Sequence, residues 1–228
     1  MIANKYSVHS IDYQDCKEWF LKKHYAKRIP SVSYAFGLFD GNVLNGVCSF
    51  GTPASSNLLK GVCGNEFSGI VKELNRLVIN DDLGKNVASY FIGQCFKLLP
   101  NPMIIVSYAD TSQNHNGYIY QATNFIYTGL SEKRSDWKLK GLEHLHGATI
   151  ADISRGKENR SEWMKEKYGD DFYLKERSRK HRYIYFLGDK RQKRNMMKSL
   201  NYPIKDYPKG ESKKYNADYN PSIQLKIF

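Results

Sequence analysis

Three groups of residues in this 228-residue chain are of types that do chemistry. The first is basic. It comprises Lys133, Arg134, Lys138 and Lys140, then Arg177, Arg179, Lys180 and Arg182, and finally Lys190, Arg191, Lys193 and Arg194. Cationic runs interleaved with Trp137, Trp163, Tyr183 and Tyr185, which offer apolar or stacking surface, suit a nucleic-acid backbone; a solvated face is the alternative for any single lysine. The second is Arg76, a guanidinium inside the apolar run 72–79, where a charge is rarely buried unpaired. The third is Asp110, at the end of the apolar run 103–109, with His24 and His115. Asp110 can cap the turn that follows it. The three together are a His/carboxylate set of the kind that holds iron, but no HxD or HExxH spacing supports a metal site. Cys16, Cys48, Cys63 and Cys95 are scattered without a CxxC pair, so they read as small hydrophobes rather than a disulfide framework or zinc ligands.

The net charge of +12 is unevenly placed. Residues 1–130 hold 11 Lys/Arg against 9 Asp/Glu, and residues 131–228 hold 24 against 14. That asymmetry points to a polyanionic partner met mainly by the C-terminal part. A hydrophobic content of 41% argues against wholesale disorder. No apolar run reaches the roughly 20 residues that span a bilayer, and residues 1–10 lack a signal-peptide core, so the expected compartment is the cytoplasm.

The elements that must position these groups follow from periodicity. Residues 11–28 are expected to form a helix stopped by Pro30. Ser33–Phe39 and Val43–Phe50 flank Asp40, Gly41 and Asn42 as a β-hairpin. Residues 51–69, rich in Gly, Ser, Asn and Pro, are expected to be loop. Residues 72–79 form a strand with Leu74 and Val78 on one face and Asn75, Leu77 and Ile79 on the other. A turn at 80–84 leads into an amphipathic helix over 86–99. A buried strand over 103–109, a short helix over 117–124 and a strand over 125–129 come next. Residues 131–178 are a charged insertion before a strand at 179–187, and Gly188–Arg194 is a basic turn. The alternation predicts an α/β fold with a mixed central sheet flanked by helices. It amounts to one domain over 1–228 with that insertion and a basic C-terminal extension over 189–228.

From Ser33 to Gly129 this order resembles the acetyltransferase (GNAT) superfamily, in which two central strands splay apart and the donor's acyl arm lies between them. The chain also resembles a narrower group, the bacteriophage Mom proteins. The matching residues are His24, Tyr25, Arg28 and Pro30; Gly46, Val47, Phe50 and Gly51; Glu73, Leu74, Arg76, Leu77 and Val78; Asn86 and Ser89; Ser107 to Asp110; and His115, Gly117, Tyr120 to Ala122, Asn124 and Phe125. They cover roughly residues 20–130, and the likeness resumes over 182–209. The resemblance implies transfer of an acetamide-type (methylcarbamoyl) group to adenine N6 in double-stranded DNA, which protects phage DNA from restriction in the host bacterial cytoplasm. A conventional acetyl-CoA-dependent N-acetyltransferase and a non-catalytic DNA-binding protein are the rival readings.

Carried over residue by residue, the resemblance implies catalytic roles for His24, Tyr25, Ser89, Asp110 and Tyr120. It implies cofactor contacts from Arg76, Gly84, Lys85, Asn86 and Ser89. Each role is physically sensible. A carboxylate at Asp110 would take the N6 proton, and Tyr120 would protonate the leaving group. Arg76 would hold a phosphate or carboxylate by its planar fork. Ser89 lies in a helix's first turn, where amide groups attract anions. His24 and Tyr25 would stack on a base extruded from the duplex. The loop before that helix departs from the coenzyme A pattern because Asp81 and Asp82 stand where phosphates would lie. The donor is therefore either acetyl-CoA or an aminoacyl ester such as an aminoacyl-tRNA.

Overall fold

The computed structural model describes residues 2–145 and 147–210 and the backbone of Ile223–Gln224. Most of the extension expected beyond 210 lies outside the described residues. The chain forms two compact units, residues 1–129 with 181–228 and residues 130–180.

The larger unit is built on a mixed sheet with helices packed against it, in keeping with the α/β expectation. Its strands are β1 (Tyr6–Ser10), β2 (Tyr34–Asp40), β3 (Val43–Gly51), β4 (Val71–Ile79), β5 (Met103–Asp110), β6 (Ile126–Leu130) and β9 (Lys180–Leu187). The order is β1-β2-β3-β4-β5-β9-β6, so β9 inserts between β5 and β6. A single-turn helix, α1 (Ile2–Lys5), leads into β1. β1 through β4 run antiparallel to their neighbours, whereas β4 and β5 are parallel. The β2–β3 hairpin closes with Asp40 opposite Val43, and Gly41 takes the positive φ of 56° that the two-residue turn demands. Phe36, Leu38, Cys48 and Phe50 from the hairpin meet Phe91, Ile92 and Cys95 of α4 (Val87–Leu98) in one core. Cys16, Trp19, Phe20, Val47 and Val78 form a second core.

The expected face assignment of β4 is corrected by a β-bulge. Arg76 lies opposite Ser49 but Leu74 opposite Phe50, which leaves Asn75 as the extra residue. One inserted residue inverts the alternation. Leu74, Leu77 and Ile79 therefore share one core, and Val78 joins the other. Asn75 holds the bulge through two bonds: its amide nitrogen donates to the Ser31 carbonyl at 2.6 Å, and its oxygen accepts from the Ser49 hydroxyl at 2.7 Å.

Four local expectations also change. The helix expected over 11–28 is shorter: α2 (Tyr13–Glu18) passes into a wider turn over Trp19–Lys23, and His24 is extended. Lys23, the last residue of that turn, reaches inward to Asp81 at 2.9 Å. The loop expected over 51–69 contains α3 (Ser56–Cys63), whose N-cap Ser55 accepts from the Leu58 amide. The basic turn expected at 188–194 is a capped helix, α8 (Lys190–Lys198), with Asp189 and Gln192 forming a reciprocal capping box. Its Met196 is buried with Cys63 and Ile184, while Lys190, Arg191, Lys193, Arg194 and Lys198 are exposed. The edge strand β1 lies in a stretch where the residue pattern alone predicts no element.

The smaller unit pairs β7 (Arg134–Leu139) antiparallel with β8 (Phe172–Arg177) and contains α6 (Gly147–Asp152) and α7 (Arg160–Tyr168). Leu139, Ile150, Met164 and Phe172 form its core, with Trp137 and Trp163 packed against it. Both tryptophans serve packing here. Tyr183 of the larger unit is fully buried, and Tyr185 stacks on Phe96 at 4.5 Å. These four rings belong to interiors or their margins, which favours the apolar over the stacking reading of them.

Gly51, the last residue of β3, has no room for a side chain, since a Cβ there would sit 1.8 Å from the Ser31 carbonyl oxygen. Because that oxygen is main chain and already holds Asn75, Gly51→Ala is expected to lower stability by roughly 2 kcal/mol or more. An unchanged urea midpoint would contradict this packing.

Candidate active site

β4 and β5 pair only from Val71 opposite Ile104 to Glu73 opposite Val106; beyond that point the strands part. The buried Ser107 hydroxyl sits at the fork and donates to the Leu74 carbonyl at 2.9 Å, satisfying an acceptor that the ladder no longer reaches. Ser107 lies close enough to Tyr120 to act on its phenol. Tyr120 stands on α5 (Tyr118–Ala122), its ring 5.2 Å from those of Phe125 and Tyr183. Gly117 starts that helix with a φ of 71°, and a Cβ there would meet the Tyr183 ring at 2.5 Å. Both conformation and space therefore require glycine where the helix docks.

Burial pushes the Tyr120 phenol well above its ordinary range. Ser107 opposes the shift, and the fields of Tyr25, Cys48 and Glu73 add to it. An ordinary value near 10 makes a tyrosine a suitable acid. In the fold Tyr120 is a still weaker acid and stays protonated at neutral pH, ready to give its proton only to a strongly basic leaving atom.

Arg76 faces the same region. One Nη donates to the Asn75 carbonyl at 2.7 Å and the other to the Arg28 carbonyl at 3.0 Å, while the buried Nε has no hydrogen-bond partner among the described residues. Burial lowers its pKa, offset by Tyr25 and Glu73. The guanidinium thus ties β4 to the segment after His24, and only its remaining N–H groups are left for a substrate anion.

On the far side of the fork, Tyr25 stacks against His24 at 4.4 Å, and the His115 ring stands 6.1 Å from it at 27°. The His24 Nδ1 accepts from the Ala26 amide at 3.1 Å. Burial raises the Tyr25 phenol, Asp110 and Glu73 raise it further, and Arg76 opposes them. Asp110 does cap the turn after β5, accepting from the Ser112 amide at 3.0 Å and its hydroxyl at 2.8 Å. It nonetheless projects its field onto Tyr25 and His115, so capping does not remove it from their surroundings. His115 is shifted down by burial against the pull of Asp110, which keeps the imidazole neutral at neutral pH.

The fold therefore gathers His24, Tyr25, Arg76, Asp110 and Tyr120 around one opening. Ser89 is elsewhere. Its hydroxyl donates to the Asn86 carbonyl at 3.0 Å, and the residue lines a cavity of about 540 Å³ with Lys97, Asn124, Tyr185 and Lys193. Gly84, Lys85 and Asn86 form an exposed loop at the start of α4, with Gly84 and Asn86 at positive φ. Asp81 beside that loop is engaged by Lys23, so one of its two negative charges is compensated. Two residues at the fork carried no expected role, Glu73 and Ser107. Glu73 is accessible to the logic applied to Arg76: both are charges inside an apolar strand.

The expected basic contacts divide in the same way. Arg182 is occupied: its Nε and one Nη bond Thr128 at 2.9 and 3.2 Å, and its guanidinium covers the Tyr202 ring at 3.4 Å. Within the smaller unit, Lys138 donates to the Glu143 and Leu145 carbonyls, and Arg179 to the Ser131 carbonyl. Lys140 pairs with Asp171 at 3.4 Å and Arg134 with Glu132 at 3.9 Å, both at exposed positions, and Lys133 is exposed. Arg182, Lys138 and Arg179 thus spend part of their hydrogen-bonding capacity within the protein. Among the described residues no three His, Cys, Asp or Glu side chains are grouped to hold a metal ion, so His24, Asp110 and His115 are not assembled as an iron site. No helix among them is long and apolar enough to cross a membrane.

The raised phenols fix a pH dependence. A tyrosine whose folded pKa exceeds its unfolded value contributes stability below the unfolded value, near 10, and loses it as pH rises through the folded one. Tyr183 is pushed up to about 12, and Tyr25 and Tyr120 shift the same way. The urea midpoint should therefore fall between pH 9 and 11, and fall less in Tyr120→Phe; equal pH slopes for the two proteins would refute the burial of this hydroxyl.

Known proteins resemble this chain in sequence. The model of the Mom protein family matches residues 5–209. The methylcarbamoylase mom of Escherichia phage Mu is 30% identical over 192 residues, covering 82% of this chain and 77% of that protein. Solved structures that resemble the chain include the ribosomal-protein-S18-alanine N-acetyltransferase from Escherichia coli, with 7% identity, a TM-score of 0.43, and coverage of 81% of this chain and 95% of that one. A GNAT family acetyltransferase from Elizabethkingia anophelis with acetyl-CoA bound gives 10% identity, a TM-score of 0.43, and coverage of 81% and 99%. On the extent of the family match and the identity to its phage Mu relative, the chain belongs to the Mom protein family.

Proposed function

We propose that this protein is a DNA-modifying transferase that places an acetamide-type, acyl-derived unit on adenine N6 of double-stranded DNA. It would act in the cytoplasm of an infected bacterial host and shield phage DNA from restriction. Family membership and the methylcarbamoylase relative support the reaction class. The observation that carries the reading is the fork itself, an opening between parallel strands with a carboxylate, a guanidinium and protonated phenols around it.

The adenine N6 lone pair is delocalised into the ring, so attack needs its proton removed as the bond forms. Asp110, fixed by Ser112, takes that proton as N6 bonds to the electrophilic carbon of the donor. The bond from that carbon to sulfur or oxygen breaks; a departing alkoxide is basic enough to receive the Tyr120 proton, whereas a departing thiolate leaves as the anion and is protonated by solvent. Arg76 offers its remaining N–H groups to charge that develops on the donor oxygen. The activated donor is an acyl thioester such as acetyl-CoA or an aminoacyl ester such as an aminoacyl-tRNA. The exposed loop of Gly84, Lys85 and Asn86, with one neighbouring aspartate neutralised by Lys23, suits its phosphates. A target base must leave the duplex to reach the fork, and the aromatic group of His24 and Tyr25 receives it there.

Backbone contact is assigned to α8, whose Lys190, Arg191, Lys193 and Arg194 are exposed on a helix with no acidic residue inside it. The insertion over 131–178 adds Lys133, Arg134 and Lys140, and Lys180 follows it. Each phosphate deprived of its cationic partner lowers the slope of log affinity against log salt by about 0.9. Replacing the four α8 cations with glutamine should reduce that slope by roughly 2 to 4; an unchanged slope would remove α8 from the interface.

The decisive test of function is mass spectrometry of nucleosides from plasmid DNA made in cells expressing the chain. A new adenosine species is expected, and Asp110→Ala should reduce it at least roughly a hundredfold. Unmodified nucleosides with wild-type protein, or full modification by Asp110→Ala, would reject the proposal.

A further inference from the structure

The fork contains one aromatic pair whose nearly parallel rings stand farther apart than rings in direct contact. His24 lies against Tyr25 at 4.4 Å, the separation of rings in contact, whereas His115 faces Tyr25 at 6.1 Å with its plane only 27° away. A flat ring between two others needs two van der Waals layers of about 3.5 Å each, or about 7 Å. The centroid separation is about an ångström short of that figure, so a base enters only as the His115 segment moves outward by at least that much, and all three rings are only half-buried.

His115 is placed to serve as a wall. Its amide donates to the Asp110 carbonyl at 3.3 Å, and the preceding Asn114 takes the left-handed conformation at φ 52° that turns the chain back towards the strand end. The turn whose Ser112 donates to the Asp110 carboxylate therefore also sets the main-chain position of His115.

The geometry points to His115 as the second wall of a base pocket: an extruded adenine lies between Tyr25 and His115 with its 6-amino edge towards Asp110. This inference rests on the proposed action on DNA adenine and adds how the base is held. In the duplex a base is stacked on both faces, so one aromatic wall restores half of what extrusion loses, and a second restores the remainder. Burial keeps His115 neutral, so its plane is offered without a charge that would compete for Asp110. His115 on this account is a binding residue that touches substrate and takes no proton.

The test compares His115→Ala with His115→Phe, each first shown to keep the wild-type melting temperature. His115→Ala should lose roughly 5- to 150-fold in kcat/KM for DNA modification, the usual effect of removing one stacking partner. His115→Phe, which keeps the plane and lacks the nitrogens, should stay within about threefold of wild type. Equal loss in both variants would assign the role to imidazole chemistry and overturn the wall; no loss in His115→Ala would overturn it as well. A second measurement needs no turnover. Fluorescence of 2-aminopurine deoxyriboside should be quenched by wild type and His115→Phe and not by His115→Ala. Quenching with this pattern by a wild-type protein that leaves DNA unmodified would keep the pocket and discard the reaction; DNA modification without His115-dependent quenching would do the reverse.

Discussion

The site depends on two parallel strands ceasing to pair. Hydrogen bonds between β4 and β5 end at Glu73 and Val106, and every main-chain group beyond them must find another partner or meet solvent. Ser107 resolves the first of these by donating to the Leu74 carbonyl, and Arg76 resolves the next by donating to the Asn75 carbonyl. The opening is thus enforced by satisfied polar groups. Closing it would strand those groups, and a buried unpaired donor or acceptor costs about 1–3 kcal/mol each.

The same arrangement explains how charge survives there. Arg76 is lowered by burial and held up by Glu73 and Tyr25, and its two bonds to the Asn75 and Arg28 carbonyls fix its plane. Glu73 in turn raises the Tyr25 and Tyr120 phenols. A carboxylate, a guanidinium and two phenols so arranged keep both phenols protonated while Arg76 stays charged. Such divergence among neighbouring titratable groups is the usual setting for proton transfer.

Much of the fold is legible in the residues where local rules dominate. Two aromatic-rich runs around Gly41 and Asn42 specify the hairpin, and the run 103–109 specifies β5, because pairing and burial there follow the pattern directly. What escapes is set by distant partners. The faces of β4 depend on a bulge that only Ser31 and Ser49 explain. The first helix gives way to a wider turn whose Lys23 meets Asp81, 58 residues away. The Lys190–Lys198 helix is hidden because its composition is that of a turn, while its capping box and single buried Met196 make it a helix. Arg182 has the look of an open cation until Thr128 and Tyr202 enclose it. Glu73 is legible by the same question that singles out its neighbour Arg76, namely why a charge stands in an apolar strand.

The proposed function requires adenine to meet the protein at this fork. Duplex DNA carrying 8-azidoadenine, irradiated with the protein and digested, would show by mass spectrometry which peptides lie against the base. Cross-links within residues 24–30 and 107–120 are the predicted result; cross-links confined to residues 131–178, or to β1 and α2, would contradict it.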